Sequence, residues 1–543
     1  MSDLLRMTGM YSGIDTESIV TQMVSAKSKK VENLKNEQTK LEWKQNVWQD
    51  LNSKIYSLYS GTLSKLRLTG SYSKKSTISS DTTKATVVAS SSAVNGTQTL
   101  KVNQLAKAGY LTGAKLQQKK TTEKDKDGNE TTKDVNWTGS DKVSEINSNL
   151  AGQKISITVG TGADAKTTDI EITSDMTITK FTSQLKEAGV NASFDETNQR
   201  FFISATGTGS AKEFSISASS SSALESLGLD PNGTYANGSQ CTRIDAQDAE
   251  IELNGATFTS DSNTFSINGL TINALGVTDQ EISIVTSTDY DGIYNTIKDF
   301  ISEYNELINE IDKLYNADSA RDYDVLSDDE KESMTDEEIE KWEDKIKGSL
   351  LRKDGNLYSV MNSLTSTMLG GYYQNNLTDK QKKDMTASEI EQWYKENGGK
   401  KLYLSDFGIK TKSYFECEDN EHHAYHIDGD EDDEYAATKE DKLKAAIAAD
   451  PEGTAEFFAS LCKEMYNKLD ETMGKTTTYS SIYKVYNDKQ LKSDYESYTK
   501  KIKEAEEELS DYEDKWYNKF AAMEKALSKL QSNTNAVTSM LGN

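Results

Sequence analysis

Proline is almost missing from this chain: Pro231 and Pro451 are the only two in 543 residues. Long stretches therefore lack the residue that best breaks helices. Cysteine is nearly as scarce. Cys241, Cys417 and Cys462 are odd in number and far apart, which argues against a disulfide framework. The three histidines, His422, His423 and His426, lie within five residues, which argues against general acid–base catalysis by histidine. No apolar run approaches the roughly 18 residues of a membrane span. The opening MSDLLRMTG has no apolar core followed by a small-residue cleavage site, so a Sec-type signal peptide is not expected. Cytoplasmic residence and export by a route needing no such signal both stay open. Positive charge is the minority: 62 Lys and Arg stand against 88 Asp and Glu, a net −26. Such a chain repels phosphate backbones, which argues against nucleic-acid binding.

What is present is a polar composition, 35% hydrophobic and 28% charged, suited to elongated modules with modest cores. The length fits about three or four domains. Tyrosine outnumbers phenylalanine 27 to 13, so much of the aromatic surface carries a polar tip.

Residues 14–68 read as one or two long helices. Leu34, Leu41, Trp48 and Ile55 recur every seven residues, and Val47, Leu51, Ile55 and Leu58 add a second stripe. The companion column is polar: Val31 gives way to Gln38, Gln45 and Asn52. Polar seam residues lower coiled-coil stability and select register or partner. After Gly70, short alternations such as Leu100 and Val102 in a Ser/Thr/Gly-rich background predict strands to about residue 287. In ISITVGTGADAKTTDIEI, Ile155, Ile157 and Val159 alternate before a Gly-rich turn and Ile170 and Ile172 after it, which predicts a hairpin. TITKFTSQLKEAGV predicts a short helix closed by Gly189, and FFISATG the next strand.

Helix returns at Tyr290, with Ile297, Ile301, Tyr304, Ile308, Ile311 and Tyr315 on one face. Residues 326–342 and 377–393 repeat one another. Each copy predicts two short helices, the second opened by a capping box, Thr335 with Glu338 or Thr386 with Glu389. Trp342 and Trp393 are expected as core plugs. HHAYHIDGDEDDEY predicts an exposed acidic loop. A helix follows it, then a break with Pro451 at the first position of another helix. The last 50 residues hold the clearest pattern: Ile502, Leu509, Trp516, Met523, Leu530 and Val537 are spaced by sevens. Two helical ends with heptad seams thus enclose a β-rich middle.

GMYSGIDTESIVTQMV, TLKVNQLAKAG, TTDIEITSDMTITKFTSQLKEAGVNASFDETNQRFFISA, AQDAEIELNGATFTSDSNTFSINGLTINAL, LYLSDFGIKT and HIDGDEDDEYAATKEDKLKAAIAADPEGTAEFFA occur in that order, before the closing helix. By their order and coverage the chain resembles the flagellar filament cap family, also called hook-associated protein two. The section 320–400, with its tandem Trp repeat, departs from the shorter family members.

The resemblance implies an α+β multidomain fold: long N- and C-terminal coiled-coil helices, a helical-bundle leg domain, and a β-rich head of two domains inserted between them. The expected division is 1–45 plus 505–543 for the terminal legs and 46–75 plus 288–504, with an insert at 320–435, for the leg domain. The head then takes 76–112 plus 240–287, and its outer domain 113–239. The resemblance also implies export through the flagellar type III pathway to the flagellum tip. There the family forms a homo-oligomer, a ring of about five subunits within a range of four to six. Implied partners are flagellin, the hook–filament junction proteins and an export chaperone at the C-terminal helix. No cofactor, enzymatic step, nucleic acid or membrane insertion is implied. The end helices would be mobile legs in the filament, and the β domains a plate beneath which flagellin folds. Oligomer and filament contacts are expected at Leu34, Leu41, Trp48, Ile55, Ile502, Leu509, Trp516, Met523, Leu530 and Val537.

Other chemistry is weaker. His422, His423 and His426, with Cys417, Glu418, Glu421 and Asp428 nearby, would share a metal if the histidines stood one turn apart on a helix. The neighbouring acids and Gly429 argue for a solvated loop instead. DGDEDDE (428–434) and DKDGNE (125–130) hint at calcium without the full loop spacing. GTGADAKTT (160–168) lacks a Gly before Lys166 and lies between two strands, so it reads as a turn and not a phosphate loop. The rival to a cap is a surface adhesin using the β head to bind host glycans or mucus. No anchor for one is visible.

Overall fold

A computed structural model describes residues 12–124, 126, 130–373, 377, 381, 385–397, 399–418 and 420–542. It divides into two compact units. The chain's two ends, Met1–Ser73 with Tyr290–Asn543, form one, and the middle, Lys74–Asp289, forms the other.

The middle unit is built from alternating strands. Leu100 and Val102 point inward from Gly96–Gln104, the central strand of a five-stranded antiparallel sheet. Its neighbours are Ile282–Thr288 and Ala249–Leu253, and its edges Lys75–Ser79 and Ala256–Ser260. A three-stranded sheet of Thr264–Ile267, Leu270–Ala274 and Ala85–Ala89 shares this core through Ala85, Phe265 and Ile272. A second core lies within residues 111–241. There Lys154–Val159 pairs with Lys166–Glu171 so that Ile155 faces Ile170, the hairpin read from the sequence. Helix Ile178–Glu187 is opened by the Thr177 side chain, which accepts from the Lys180 amide at 3.1 Å. It closes at Gly189, whose φ of +102° suits a residue without Cβ. Phe181 from this helix meets Phe201 edge to face at 5.8 Å, both fully buried.

The terminal unit is mainly helical. Its principal elements are α1 (Thr16–Ser57), α2 (Tyr290–Tyr315), α3 (Gly355–Met368), α4 (Pro451–Met473) and α5 (Asp488–Leu541). Asp15 caps α1 by accepting from the Ser18 amide at 3.0 Å. At Leu58–Leu63 the helix widens into a π turn that contains Gly61. The core gathers Trp48, Leu51 and Ile55 of α1 with Ile297, Tyr304 and Ile308 of α2, Leu364 of α3, and Phe457, Leu461 and Met465 of α4. Pro451 stands at the start of α4, capped by Asp450.

Both predicted capping boxes form, at Thr335 with Glu338 and at Thr386 with Glu389. Their tryptophans do not behave as core plugs. Trp342 is half-buried, with its Nε1–H donating to the Asp324 carbonyl at 2.8 Å and Tyr323 against its ring. Trp393 is also half-buried, and the adjacent Tyr394 is the buried aromatic. The Trp342 indole finds its acceptor in a surface backbone carbonyl rather than in the core. The segment HHAYHIDGDEDDEY is not a free loop either. Tyr425–Ile427 is a strand paired with Ile409–Thr411, and Tyr425, Ile427 and Asp428 are buried. The alternation of Tyr425 and Ile427 fixes this: both face the helical core, so their polar neighbours face outward.

Candidate functional site

The candidate site is the pair formed by α1 and α5, which run antiparallel. Trp48 stacks nearly parallel on Tyr486, just ahead of α5, with ring centroids 5.3 Å apart. Further along, Gln38 Nε2 donates to Thr499 Oγ1 at 2.7 Å, Lys35 meets Glu506 at 2.6 Å, and Lys30 meets Glu508 at 3.3 Å. Lys27 lies over the Tyr512 ring, and Ser12 donates to Glu524. Hydrogen bonding to Lys30, then the charges of Lys30 and Lys27, hold the Glu508 carboxyl below its ordinary pKa.

Polar residues in the α1 seam are used within the chain. Asn52 is buried; its Nδ2 donates to the Tyr483 carbonyl at 3.1 Å and its Oδ1 accepts from the Val485 amide at 2.9 Å. A one-residue slip would strand a buried amide, so Asn52 and Gln38 fix the register of α1 against the segment 483–499. Here the register role of a polar seam residue operates inside one chain.

The ten expected contact residues separate into three groups. Trp48 and Ile55 are 1% and 0% exposed in the core of the terminal unit, and Ile502 is buried as well. Trp48 and Ile55 therefore serve the chain's own packing and are out of reach of a partner's surface. The second stripe explains this, because Leu51 and Leu58 turn the C-terminal half of α1 inward. Leu34, Leu41, Leu509, Trp516 and Met523 are half-buried along the pair. Leu530 and Val537 are 66% and 54% exposed. One apolar column thus grades from buried at Ile502 to bare at Val537.

The histidines are not brought together. His422 Nδ1 lies 2.8 Å from Cys417 Sγ, while His426 Nδ1 lies 2.5 Å from Asp433 Oδ2. The acids of DGDEDDE face lysines. Lys298 of α2 meets both Asp430 and Asp432 at 2.6 Å, and Asp428 lies 3.1 Å from Lys410 and 3.6 Å from Lys439. Burial works against the Lys298 charge, but its hydrogen bonds to Asp430 and Asp432 outweigh this and hold its pKa above the ordinary value. Among the described residues, no three His, Cys, Asp or Glu side chains are grouped to hold a metal. DKDGNE falls mostly outside the described residues. GTGADAKTT forms the turn between two antiparallel strands, with φ of +91° at Gly160 and +66° at Gly162. Two features had no local signal in the sequence: Lys298 neutralises a loop some 130 positions away, and Asn52 clamps one more than 430 positions away.

Two family profiles match this chain. "Flagellar hook-associated protein 2 N-terminus" covers residues 12–109, and "Flagellar hook-associated protein 2 C-terminus" covers 246–532. A flagellar hook-associated protein 2 from Halalkalibacterium halodurans is 24% identical over 462 residues, covering 82% of this chain and 78% of that protein. The A-type flagellar hook-associated protein 2 of Pseudomonas aeruginosa is 27% identical over 334 residues, 57% of this chain and 63% of the relative. Among solved structures, the D1–D2–D3 domains of the Escherichia coli flagellar cap protein FliD align with a TM-score of 0.46 at 19% identity, covering 79% of this chain and 97% of that one. No described helix is long and apolar enough to cross a membrane. With the C-terminal profile alone spanning more than half of its length, the chain belongs to the flagellar hook-associated protein 2 family.

Proposed function

We propose that this protein caps the tip of the growing flagellar filament, retaining exported flagellin and promoting its folding and insertion. The observation that carries the reading is the graded column of α5, closed against α1 at one end and bare at Leu530 and Val537. Covering such a side chain is worth roughly 1.5–3 kcal/mol. A few per subunit give a grip that holds a filament site and still releases it. The working form is a homo-oligomeric ring of about five subunits. Its legs are residues 1–45 and 505–543, its leg domain 46–75 and 288–504, and its head 76–287 in two parts. Flagellin and the hook–filament junction proteins are its partners. Export follows the flagellar type III route, with a chaperone shielding α5 until assembly. No step requires a cofactor or a catalytic residue.

Deletion of the gene in its own host tests this. Hooks without filaments, and flagellin monomer in the medium, are expected. Full-length protein should restore filaments, and Leu530→Ser with Val537→Ser should be exported but restore them poorly. Normal filaments in the deletion strain would overturn the reading.

A further inference from the structure

Three cysteines occupy three different environments. Cys462 is fully buried in the helical core, and burial pushes its thiol up to about 12. Cys241 is buried in the outer core of the middle unit and is pushed up to about 11 for the same reason. Burial and the raised pKa make both poor nucleophiles in the folded protein. Cys417 differs on both counts. It is half-buried on a surface segment, and its Sγ lies 2.8 Å from His422 Nδ1.

The imidazole is held in place. Its ring stacks on Tyr414 with centroids 4.5 Å apart and planes within 8° of parallel. Cys417 Sγ also lies 3.5 Å from the Tyr414 carbonyl. Tyr414 therefore touches both members of the pair. The 2.8 Å sulfur–nitrogen separation is a hydrogen-bond contact in which the imidazole accepts when Nδ1 is unprotonated. It is too short for two donors around a common zinc, whose bonds of about 2.0–2.3 Å at tetrahedral angles set the donors well over 3 Å apart. Nucleophilic thiol chemistry fits this geometry, and metal binding does not.

We propose that Cys417 and His422 form a thiol–imidazole pair that makes Cys417 a site of thiol–disulfide exchange with small disulfides. Nδ1 takes the thiol proton as Sγ attacks one sulfur of the disulfide. The S–S bond of the reagent breaks, a Cys417–S–S–R bond forms, and the leaving thiolate takes up the proton. The disulfide is the only co-reactant, and electrons balance because one disulfide replaces another. The surroundings select its charge. Glu416 and Glu418 are exposed, and Glu421 is held by Lys412 at 3.1 Å. In a chain of net charge −26, these acids favour cationic disulfides over anionic ones.

The test uses the purified full-length protein and, as reference, an unstructured peptide spanning residues 412–424. Exchange with cystamine, a cationic disulfide, should be about tenfold faster than in the peptide at neutral pH. Oxidised glutathione, an anion, should be disfavoured relative to cystamine, and added salt should shrink that preference. Cys417→Ser should remove the reaction. His422→Asn should bring the rate to the peptide's value, while His423→Asn leaves it unchanged. Circular dichroism checks that each variant is folded. A wild-type rate equal to the peptide's, or a rate insensitive to His422→Asn, would overturn the proposal. Neither result depends on the capping role.

Discussion

The two units solve the problem of a core with different aromatics. Of 27 tyrosines, 25 belong to the terminal unit and only Tyr110 and Tyr235 to the middle one, whereas the 13 phenylalanines divide six to seven. The middle unit packs mainly on aliphatic and phenylalanine side chains, as Phe181 on Phe201 shows. The terminal unit closes on rings that also need hydrogen bonds. Tyr59 stacks on Tyr466 at 4.5 Å and donates to Asp470 at 2.6 Å; burial first, then that bond, raises its pKa. A sheet core is fixed by alternation and tolerates apolar plugs. Long helices can slide past one another, and polar contacts stop the sliding.

Breaking each kind of core should show the difference, with the largest effect in the middle unit. Phe201→Ala leaves a cavity between two sheets and a helix, and should cost about 3–5 kcal/mol in a denaturant melt. That loss should appear in a β-sheet transition and leave the helical signal in place; a single merged transition would mean that the units do not melt separately. Asn52→Ala comes next. It strands the Tyr483 carbonyl and the Val485 amide, at about 1–3 kcal/mol. Protease cleavage between Gly474 and Asn487 should rise with it, and an unchanged cleavage rate would show that the clamp does not set the register. Tyr59→Phe keeps the stack and loses the hydroxyl. Because Asp470 is exposed and can turn to water, the cost should be only about 1 kcal/mol, read from the helical melt.

Acid should have the smallest effect. The folded pKa of Glu508 lies below its ordinary value, so its contribution to the α1–α5 pair is complete above the ordinary carboxylate range. It is lost as pH falls through the lowered folded value. Glu508 is fully solvated, so high salt at neutral pH should weaken the same contact. A spin-label distance between positions 33 and 507, which leaves Lys30 and Glu508 in place, would show that packing alone holds the pair if it ignores both pH and salt.

Much of this was legible in the sequence because it is local or periodic. The capping boxes at Thr335 and Thr386, the helix start at Pro451, the inner faces of Leu100 with Val102 and of Ile297 through Ile311, and the Ile155–Ile170 hairpin all depend on residues a few positions apart. The exposed His-rich loop was misread because the short strand Tyr425–Ile427 is held by the distant Ile409–Thr411. The Trp342 and Trp393 plugs were misread because a repeated Trp states size and not what packs against it.

The sequence by itself determined that two heptad-patterned ends enclose a β middle, since helical and strand periods need no knowledge of partners. Only the tertiary structure decided which residues of one column are covered. Trp48 and Ile55 share a seven-residue spacing with Leu34 and Leu41 yet lie in the core, because α2, α3 and α4 reach that end of α1. Leu530 and Val537 continue the column of Ile502 yet are 66% and 54% exposed. Periodicity states which face is apolar; what lies against that face is set by contacts hundreds of residues apart.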